Sequence, residues 1–153
     1  MNIYLAGSMR NEPGLGHEFF DKVSDLLIES DPSLEIFNPA QVDRLLGISE
    51  EPKGKEHREV IGCCMEFIIN KADRVYLLPG WTNSRAGVWV EIVVASLVDI
   101  PIYQIELEND KIHRISEVDF DFKNPDWNTK IDGIELQTLN ALFAIKIWNV
   151  IGA

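Results

Sequence analysis

Short apolar runs alternate with longer segments of helical periodicity over the first two thirds of the chain. Apolar runs of this length are typical of strands buried in a parallel sheet, and glycine, proline or asparagine ends most of them. They are IYLAG, LEIFNP, DRVYLLPGW and IPIYQI. The alternation of strands and helices, with connections long enough for crossovers, predicts a parallel sheet with helices on both faces.

The segments between these runs predict the helices. The first follows the turn NEPGLG and carries apolar residues on one face at a period of 3.6 residues. They are Phe19, Phe20, Val23, Leu26 and Leu27. A second helix is predicted over residues 55–70 and a third over AGVWVEIVVASLV, residues 86–98, with Asn83 or Ser84 as N-cap. Residues 43–54 are polar and predict a loop that holds about one helical turn.

The last third of the chain is less regular. Residues 106–133 are largely polar and predict a hairpin around Asn109 and Asp110, with a short edge strand near Val118. Residues 134–151, IELQTLNALFAIKIWNVI, predict an extra C-terminal helix. This helix is apolar nearly all round, so we expect it to be deeply docked or buried in a subunit interface.

The charge and length of the chain limit its partners. With 153 residues it is expected to form a single domain, and its net charge of −11 disfavours nucleic acid polymers and anionic membrane surfaces. A phosphate-bearing ligand must therefore be a small molecule, held by backbone amides, a helix N-terminus or one arginine. The longest apolar stretch, residues 86–98, is too short to span a bilayer.

The cysteines and the N-terminus predict a cytoplasmic location. Cys63 and Cys64 are adjacent within a predicted helix, which is poor geometry for a disulfide and suits a reducing compartment. Met1 leads almost directly into an apolar strand, without the basic leader of a signal peptide. The pair is expected to pack as small core residues and not to act in redox chemistry.

The loops that follow the strands are where a parallel sheet binds ligands. After the first strand, Gly7, Ser8 and Arg10 offer a turn, a hydroxyl group and a guanidinium that suit one phosphate. The alternative is that this turn only reverses the chain and that Arg10 is solvated. Nucleotide-binding glycine motifs are absent and the histidines are scattered, so we expect no metal and no cofactor. The histidines are His17, His57 and His113.

Glu91 is the one charge within the third helix. Its neighbours on the same helix face are apolar and partly very small, which leaves room for a ligand. They are Gly87, Val88, Val94 and Ala95. The alternative is a helix at the edge of the domain whose glutamate reaches solvent. Because buried unpaired carboxylates are rare, a reactive group is favoured, either a base or a nucleophile at an anomeric carbon.

Four motifs in order resemble the nucleoside 2-deoxyribosyltransferase superfamily. They are IYLAGSMR, NPA, ADRVYLLPGW and AGVWVE. Within it the chain looks most like the 2′-deoxynucleoside 5′-monophosphate N-glycosidase branch and uncharacterised phage-type relatives. The resemblance covers residues 2–105 and leaves 106–153 as a C-terminal extension. It implies a flavodoxin-like, Rossmann-like sheet of about five strands, a homo-oligomer, and cleavage of the N-glycosidic bond of a deoxynucleotide or deoxynucleoside.

The resemblance also implies roles for individual residues. Glu91 is expected to attack the anomeric carbon, and Tyr4 to lie beside it and orient it. The remaining matches are expected to bind the substrate and its 5′-phosphate. They are Gly7, Ser8, Arg10, Ser84 and Gly87.

The sequence departs from the family pattern at the general acid. Met65 occupies the position of the aspartate that protonates the leaving base, so Glu66, Asp43 or a residue of a neighbouring subunit would have to act instead. The interval from Ser84 to Glu91 is also longer by one residue than in the family. Two further candidates remain open: Trp81 either stacks on a base or covers the core, and Asn38 either binds a base or shapes a turn.

These observations predict an enzyme that cleaves the N-glycosidic bond of 2′-deoxynucleoside 5′-monophosphates through a covalent sugar–glutamate intermediate. One alternative is a nucleoside 2-deoxyribosyltransferase, which passes the sugar to a second base. The other is a catalytically silent nucleotide-binding module that has lost the acid at position 65.

Overall fold

A five-stranded sheet forms the centre of the molecule. The computed structural model describes residues 1–10, 12–84 and 87–120. The strands are β1 (Asn2–Ala6), β2 (Glu35–Phe37), β3 (Arg74–Leu77), β4 (Ile102–Glu108) and β5 (Lys111–Glu117). Their order is β2-β1-β3-β4-β5, with all neighbours parallel except the antiparallel pair β4 and β5. The predicted flavodoxin-like α/β fold is confirmed, with an antiparallel strand at one edge.

Helices cover both faces of this sheet. They are α1 (His17–Ser30), α2 (Pro39–Leu45), α3 (Lys55–Asn70) and α4 (Gly87–Leu97). Because side chains alternate along a strand, Ile3 and Leu5 of β1 pack in the same cluster as the apolar residues of α1. Tyr4 and Ala6 pack in the opposite cluster, with α3 and α4. Strand β1 therefore contributes to two separate apolar layers.

The end of β1 packs tightly against the apolar layer that contains α1. A side chain at Gly7 would place its Cβ 3.0 Å from Phe20 Cζ and 3.2 Å from Leu78 Cβ. These distances are shorter than ordinary contacts, so any larger residue here would require Phe20 or Leu78 to move by a few tenths of an ångström. The loop that follows β1 is therefore held close to the end of β3.

The helix after β2 was only partly predicted. The Asn-Pro pair was interpreted as the end of a strand, whereas Asn38 is the N-cap of α2 and accepts a hydrogen bond from the backbone N–H of Ala40 at 2.9 Å. Pro39 takes the first helical position. A backbone N–H at this position would have no partner within the helix, so its absence in proline removes no hydrogen bond. The loop is consequently shorter than predicted, and it covers residues 46–54.

The helix that carries Glu91 begins later than predicted. Residues Trp81–Asn83 form a 3₁₀ turn, and α4 starts at Gly87. Ser84 nevertheless contributes to the start of this helix, because its Oγ accepts a hydrogen bond from the backbone N–H of Val88 at 3.2 Å. The predicted helix is confirmed, and Ser84, one of the two predicted caps, binds a backbone N–H of its first turn although the helix begins three residues later.

The predicted hairpin is also confirmed. Asn109 and Asp110 have φ angles of 50° and 60° and connect β4 to β5, as expected for a tight turn with both central residues left-handed. The predicted edge strand near Val118 belongs to the end of this hairpin, since the Val118 N–H donates to the Ile102 carbonyl at 2.8 Å. The predicted C-terminal helix, residues 134–151, lies outside the described residues. In the part of the chain that is described, no helix has the length and apolar character needed to cross a membrane.

Candidate active site

A cavity of about 410 Å³ lies at the carboxyl end of β1, bounded by the loop after β1, by α3 and by α4. Six of the residues predicted from the sequence line it. They are Gly7, Ser8, Arg10, Ser84, Gly87 and Glu91. Most of the remaining wall is apolar and comes from α3 and α4. The fold therefore brings together segments of the chain that lie far apart in sequence, at the edge of the sheet where parallel folds bind ligands.

Glu91 and Tyr4 form the chemical centre of this cavity. The Tyr4 hydroxyl group, fully buried in the middle of β1, donates a hydrogen bond to Glu91 Oε1 at 2.7 Å. The second carboxyl oxygen, Oε2, is buried and has no hydrogen-bond partner among the described residues. One oxygen is thus fixed in position while the other has unused bonding capacity.

Burial strongly changes the acidity of both groups. It raises the pKa of Glu91 from 4.5 to about 8, an effect that the hydrogen bond from Tyr4 only partly opposes. Burial, together with Glu91 and Cys64, raises the pKa of Tyr4 well above its usual value of 10.0. Tyr4 therefore remains a hydrogen-bond donor throughout the neutral range. A carboxyl group with so large a shift in a cavity is the usual signature of a functional site.

The raised pKa of Glu91 predicts a dependence of stability on pH. Because its folded pKa lies above its unfolded value, the stabilisation is complete below about pH 4.5 and is lost as the pH rises through about 8. Relative to wild type, the neutral variant Glu91→Gln should therefore gain roughly 4 kcal/mol in the free energy of unfolding between about pH 5 and about pH 9. Urea denaturation at both pH values measures this gain.

The control for this measurement is Glu29→Gln, which changes an exposed glutamate of α1. Its free energy of unfolding should follow that of wild type at both pH values. A difference between Glu91→Gln and wild type that stays constant from about pH 5 to about pH 9 would show that Glu91 titrates normally.

Aromatic rings hold Tyr4 in place. Its ring stacks on Phe37 at 5.2 Å between centroids, and Phe37 stacks on Phe67 at 4.5 Å. Cys64 of α3 is buried and lies close to the Tyr4 side chain. Burial and the nearby Glu91 raise the pKa of this thiol to about 12, so it stays protonated and is a poor nucleophile. Of the two cysteines, Cys64 packs in the core as predicted, whereas Cys63 is exposed.

Arg10 is held by a buried carboxylate. Its two terminal nitrogens donate to the Asp43 carboxylate at 2.7 and 2.9 Å, and His17 Nε2 lies 2.8 Å from Asp43 Oδ2. The Asp43 side chain is 0% exposed, whereas that of Arg10 is 22% exposed and lines the cavity. Bidentate pairing with a guanidinium favours the ionised carboxylate, so this geometry argues against Asp43 as the acid. It also argues against a freely solvated Arg10.

Three other candidates lie outside the cavity wall. Glu66 is exposed on a different face of α3 from Cys64 and Met65, which do line the cavity. Asn38 caps α2 and donates to Asp21 Oδ1 at 2.9 Å. Trp81 is 4% exposed and packs edge-on against Trp89 in the core. These placements favour structural roles for Asn38 and Trp81.

Two cavity residues were not predicted from the sequence. His57, in the first turn of α3, and Glu51, in the loop before it, both line the cavity. A signal for His57 was present, because His57, Val60, Ile61 and Cys64 recur at helical spacing and share one face of α3. No comparable pattern in the sequence marks Glu51.

A second cavity, of about 470 Å³, lies by the α1 side of the sheet. Ser8 lines both cavities, and its Oγ is buried without a hydrogen-bond partner among the described residues. The larger cavity lacks Glu91 and Arg10. We therefore assign the chemistry to the smaller cavity, where the carboxyl group with the raised pKa lies.

Comparison with family models matches residues 1–104 to the family described as "Domain of unknown function (DUF4406)". The matched range extends from β1 into β4 and contains every candidate site residue discussed above. Neither the curated proteins nor the solved structures gave a match.

Proposed function

Because the chain belongs to the DUF4406 family, a domain family of unknown function, we propose its activity from the site itself. The proposed activity is cleavage of the N-glycosidic bond of 2′-deoxynucleoside 5′-monophosphates through a covalent deoxyribosyl–glutamate intermediate. One observation carries this proposal: Glu91 lies in a ligand-sized cavity with one oxygen fixed by Tyr4 and the other unbonded. A carboxylate held in this way suits attack on the anomeric carbon of a sugar.

The chemistry follows from the two carboxyl oxygens. Oε1 keeps its hydrogen bond from Tyr4, and Oε2 of the ionised carboxylate forms a bond to the anomeric carbon. The bond from this carbon to the base nitrogen breaks, and its electron pair leaves with the base. Water then attacks the anomeric carbon of the sugar ester, which releases deoxyribose 5-phosphate and regenerates Glu91. Both displacements invert the carbon, so the overall configuration is retained.

The phosphate is assigned to the loop after β1 and the start of α4. Asp43 uses two N–H groups of Arg10 and leaves the other three for an anion at the cavity wall. Ser8 offers a hydroxyl group without a partner among the described residues, and the first turn of α4 provides the positive end of a helix dipole. In a chain with a net charge of −11, a local arrangement of this kind is the expected way to hold one phosphate.

The apolar wall suits the base of a nucleotide. Side chains of α3 and α4 line the cavity with hydrocarbon groups. A flat heterocycle loses little hydrogen bonding when one of its faces packs against such a wall, because its polar groups lie at the ring edge. They are Val60, Ile61, Met65, Val88 and Val90. This wall favours a substrate with an aromatic ring over a bare sugar phosphate.

The proposal is tested with a panel of deoxynucleoside 5′-monophosphates, deoxynucleosides and ribonucleotides. Chromatography should show free base from the deoxynucleoside monophosphates, with weaker release from deoxynucleosides because these lack the phosphate that Arg10 binds. Exchange of label into an added free base would instead identify a deoxyribosyltransferase. No release from any substrate, together with nucleotide-induced thermal stabilisation, would identify a silent nucleotide-binding module.

The silent module remains the second candidate because of one observation. Met65 lines the cavity at the position where the resemblance to the nucleoside 2-deoxyribosyltransferase superfamily implies an acid. A thioether cannot protonate a leaving base. Among the described cavity residues, a substitute acid must therefore come from another position. The expected cytoplasmic location and homo-oligomeric state remain predictions.

A further inference from the structure

The wall of the cavity offers few groups that can exchange a proton near neutral pH. Cys64 and Tyr4 stay protonated, because burial raises the pKa of the thiol to about 12 and that of the phenol well above 10.0. Glu91 is the proposed nucleophile. Among the described residues that line the cavity, His57 and Glu51 are the remaining groups with exchangeable protons of suitable chemistry.

The position of His57 along α3 fits the leaving base. Cys64, near the middle of α3, lies close to Tyr4 and Glu91. His57 lies two turns earlier on the same face, roughly 10 Å along the helix axis, and side chains lean toward the start of a helix. In a displacement at the anomeric carbon, the base departs on the side opposite the attacking oxygen. The base therefore extends away from Glu91, and His57 lies farther from Cys64 along the same cavity wall.

We propose that His57 donates the proton to the departing base, in place of the acid that position 65 lacks. This inference rests on the proposed function. As Glu91 attacks, the electron pair of the glycosidic bond passes to the base nitrogen. The imidazolium ring of His57 transfers a proton to the base, either to the nitrogen of the broken bond or to another atom of the base ring. The His57 side chain is then a neutral imidazole. In the second step this imidazole takes the proton of the attacking water, and Glu91 leaves as a carboxylate.

The pair of groups needs only one proton. An ionised Glu91 with a protonated His57 carries the same total charge as a protonated Glu91 with a neutral His57. The reactive arrangement therefore carries no more protons than the arrangement in which Glu91 holds the proton. Both side chains are exposed. Glu51 is less suited because a carboxylate accepts hydrogen bonds and does not donate them, whereas an imidazolium donates from both ring nitrogens.

The experiment compares two leaving groups on the same enzyme sample. One is the base of the best natural substrate from the panel, which needs a proton to leave. The other is 4-nitrophenolate, attached to the anomeric carbon of 2-deoxyribose 5-phosphate. After release, 4-nitrophenolate is stable as an anion and needs no proton. His57→Gln should lower release of the base about 100-fold or more, and release of nitrophenolate by less than about threefold. Because both rates come from one sample, their ratio does not depend on the folded fraction.

The matched controls are His113→Gln, which changes an exposed histidine of β5, and Glu51→Gln. Both should leave the ratio of the two rates near that of wild type. The inference is overturned if His57→Gln slows both leaving groups equally or neither, or if Glu51→Gln alone shows the selective loss. If wild type releases neither leaving group, or if Glu91→Gln releases both at the wild-type rate, the proposed function itself has failed.

Discussion

Replacement of Glu91 by glutamine is expected to lower the rate of base release on the order of 10⁴-fold or more, the scale on which removal of a nucleophile acts. Glutamine retains the size of the side chain and can still accept the hydrogen bond from Tyr4, but its amide does not form a stable bond to the anomeric carbon. Single-turnover release of the base, followed by chromatography, measures the loss. Glu29→Gln, at an exposed position of α1, should retain the wild-type rate.

A second readout separates a nucleophile from a residue that only binds substrate. Wild-type enzyme quenched in acid during turnover should carry one deoxyribose phosphate on the peptide that contains Glu91, detected by mass spectrometry. The Glu91→Gln variant should carry none. Retention of the rate, or an adduct on another residue, would contradict the role that we assign to this carboxylate.

Asp43→Asn is expected to have the largest effect on stability, a loss of about 3 kcal/mol in the free energy of unfolding. Removal of one partner from a buried ion pair leaves the other charge without compensation, which typically costs about 3 to 5 kcal/mol. The lower end applies because Arg10 is 22% exposed and can reach water. Urea denaturation at neutral pH measures the loss.

Asp21→Asn is the matched control for this measurement. Asp21 pairs with Arg44 at the surface, where the two side chains are 36% and 47% exposed, so the cost should be about 1 kcal/mol or less. Equal losses in the two variants would show that burial of Asp43 does not govern the strength of its pairing. The same Asp43→Asn protein should also bind nucleoside monophosphates less tightly, because Arg10 loses the contact that orients it.

Local pattern was sufficient to predict the fold. The parallel strands β1 and β3 are short apolar runs buried on both faces, a pattern that few other elements produce. The tight hairpin was readable because Asn109 and Asp110 tolerate left-handed backbone angles better than most residues. The start of α2 was missed because an Asn-Pro pair suits both the end of a strand and the start of a helix. Only the capping hydrogen bond from Ala40 to Asn38 decides between the two.

The candidate site was predictable only in part, since a cavity depends on contacts between distant segments. Glu91 was visible as an isolated charge on an apolar helix face, and its partner Tyr4 followed from the family resemblance. Asp43 was considered as an acid because the sequence could not show that Arg10 would lie against it. Helical spacing places His57 on the same face of α3 as Val60 and Cys64, but only the packing of α3 beside α4 shows that this face lines the cavity.

Gly7, at the end of β1, limits which residues can replace one another on the two faces of the sheet. The space that a side chain at position 7 would fill is already occupied by the ring of Phe20, on the face opposite Glu91. Positions 7 and 20 thus share one volume and cannot vary independently. Among proteins that descend from a common ancestor with this chain, a larger residue at position 7 should be accompanied by a smaller one at position 20. Sequence change in α1 would then be coupled to sequence change at a residue of the proposed site, although α1 itself does not line the cavity.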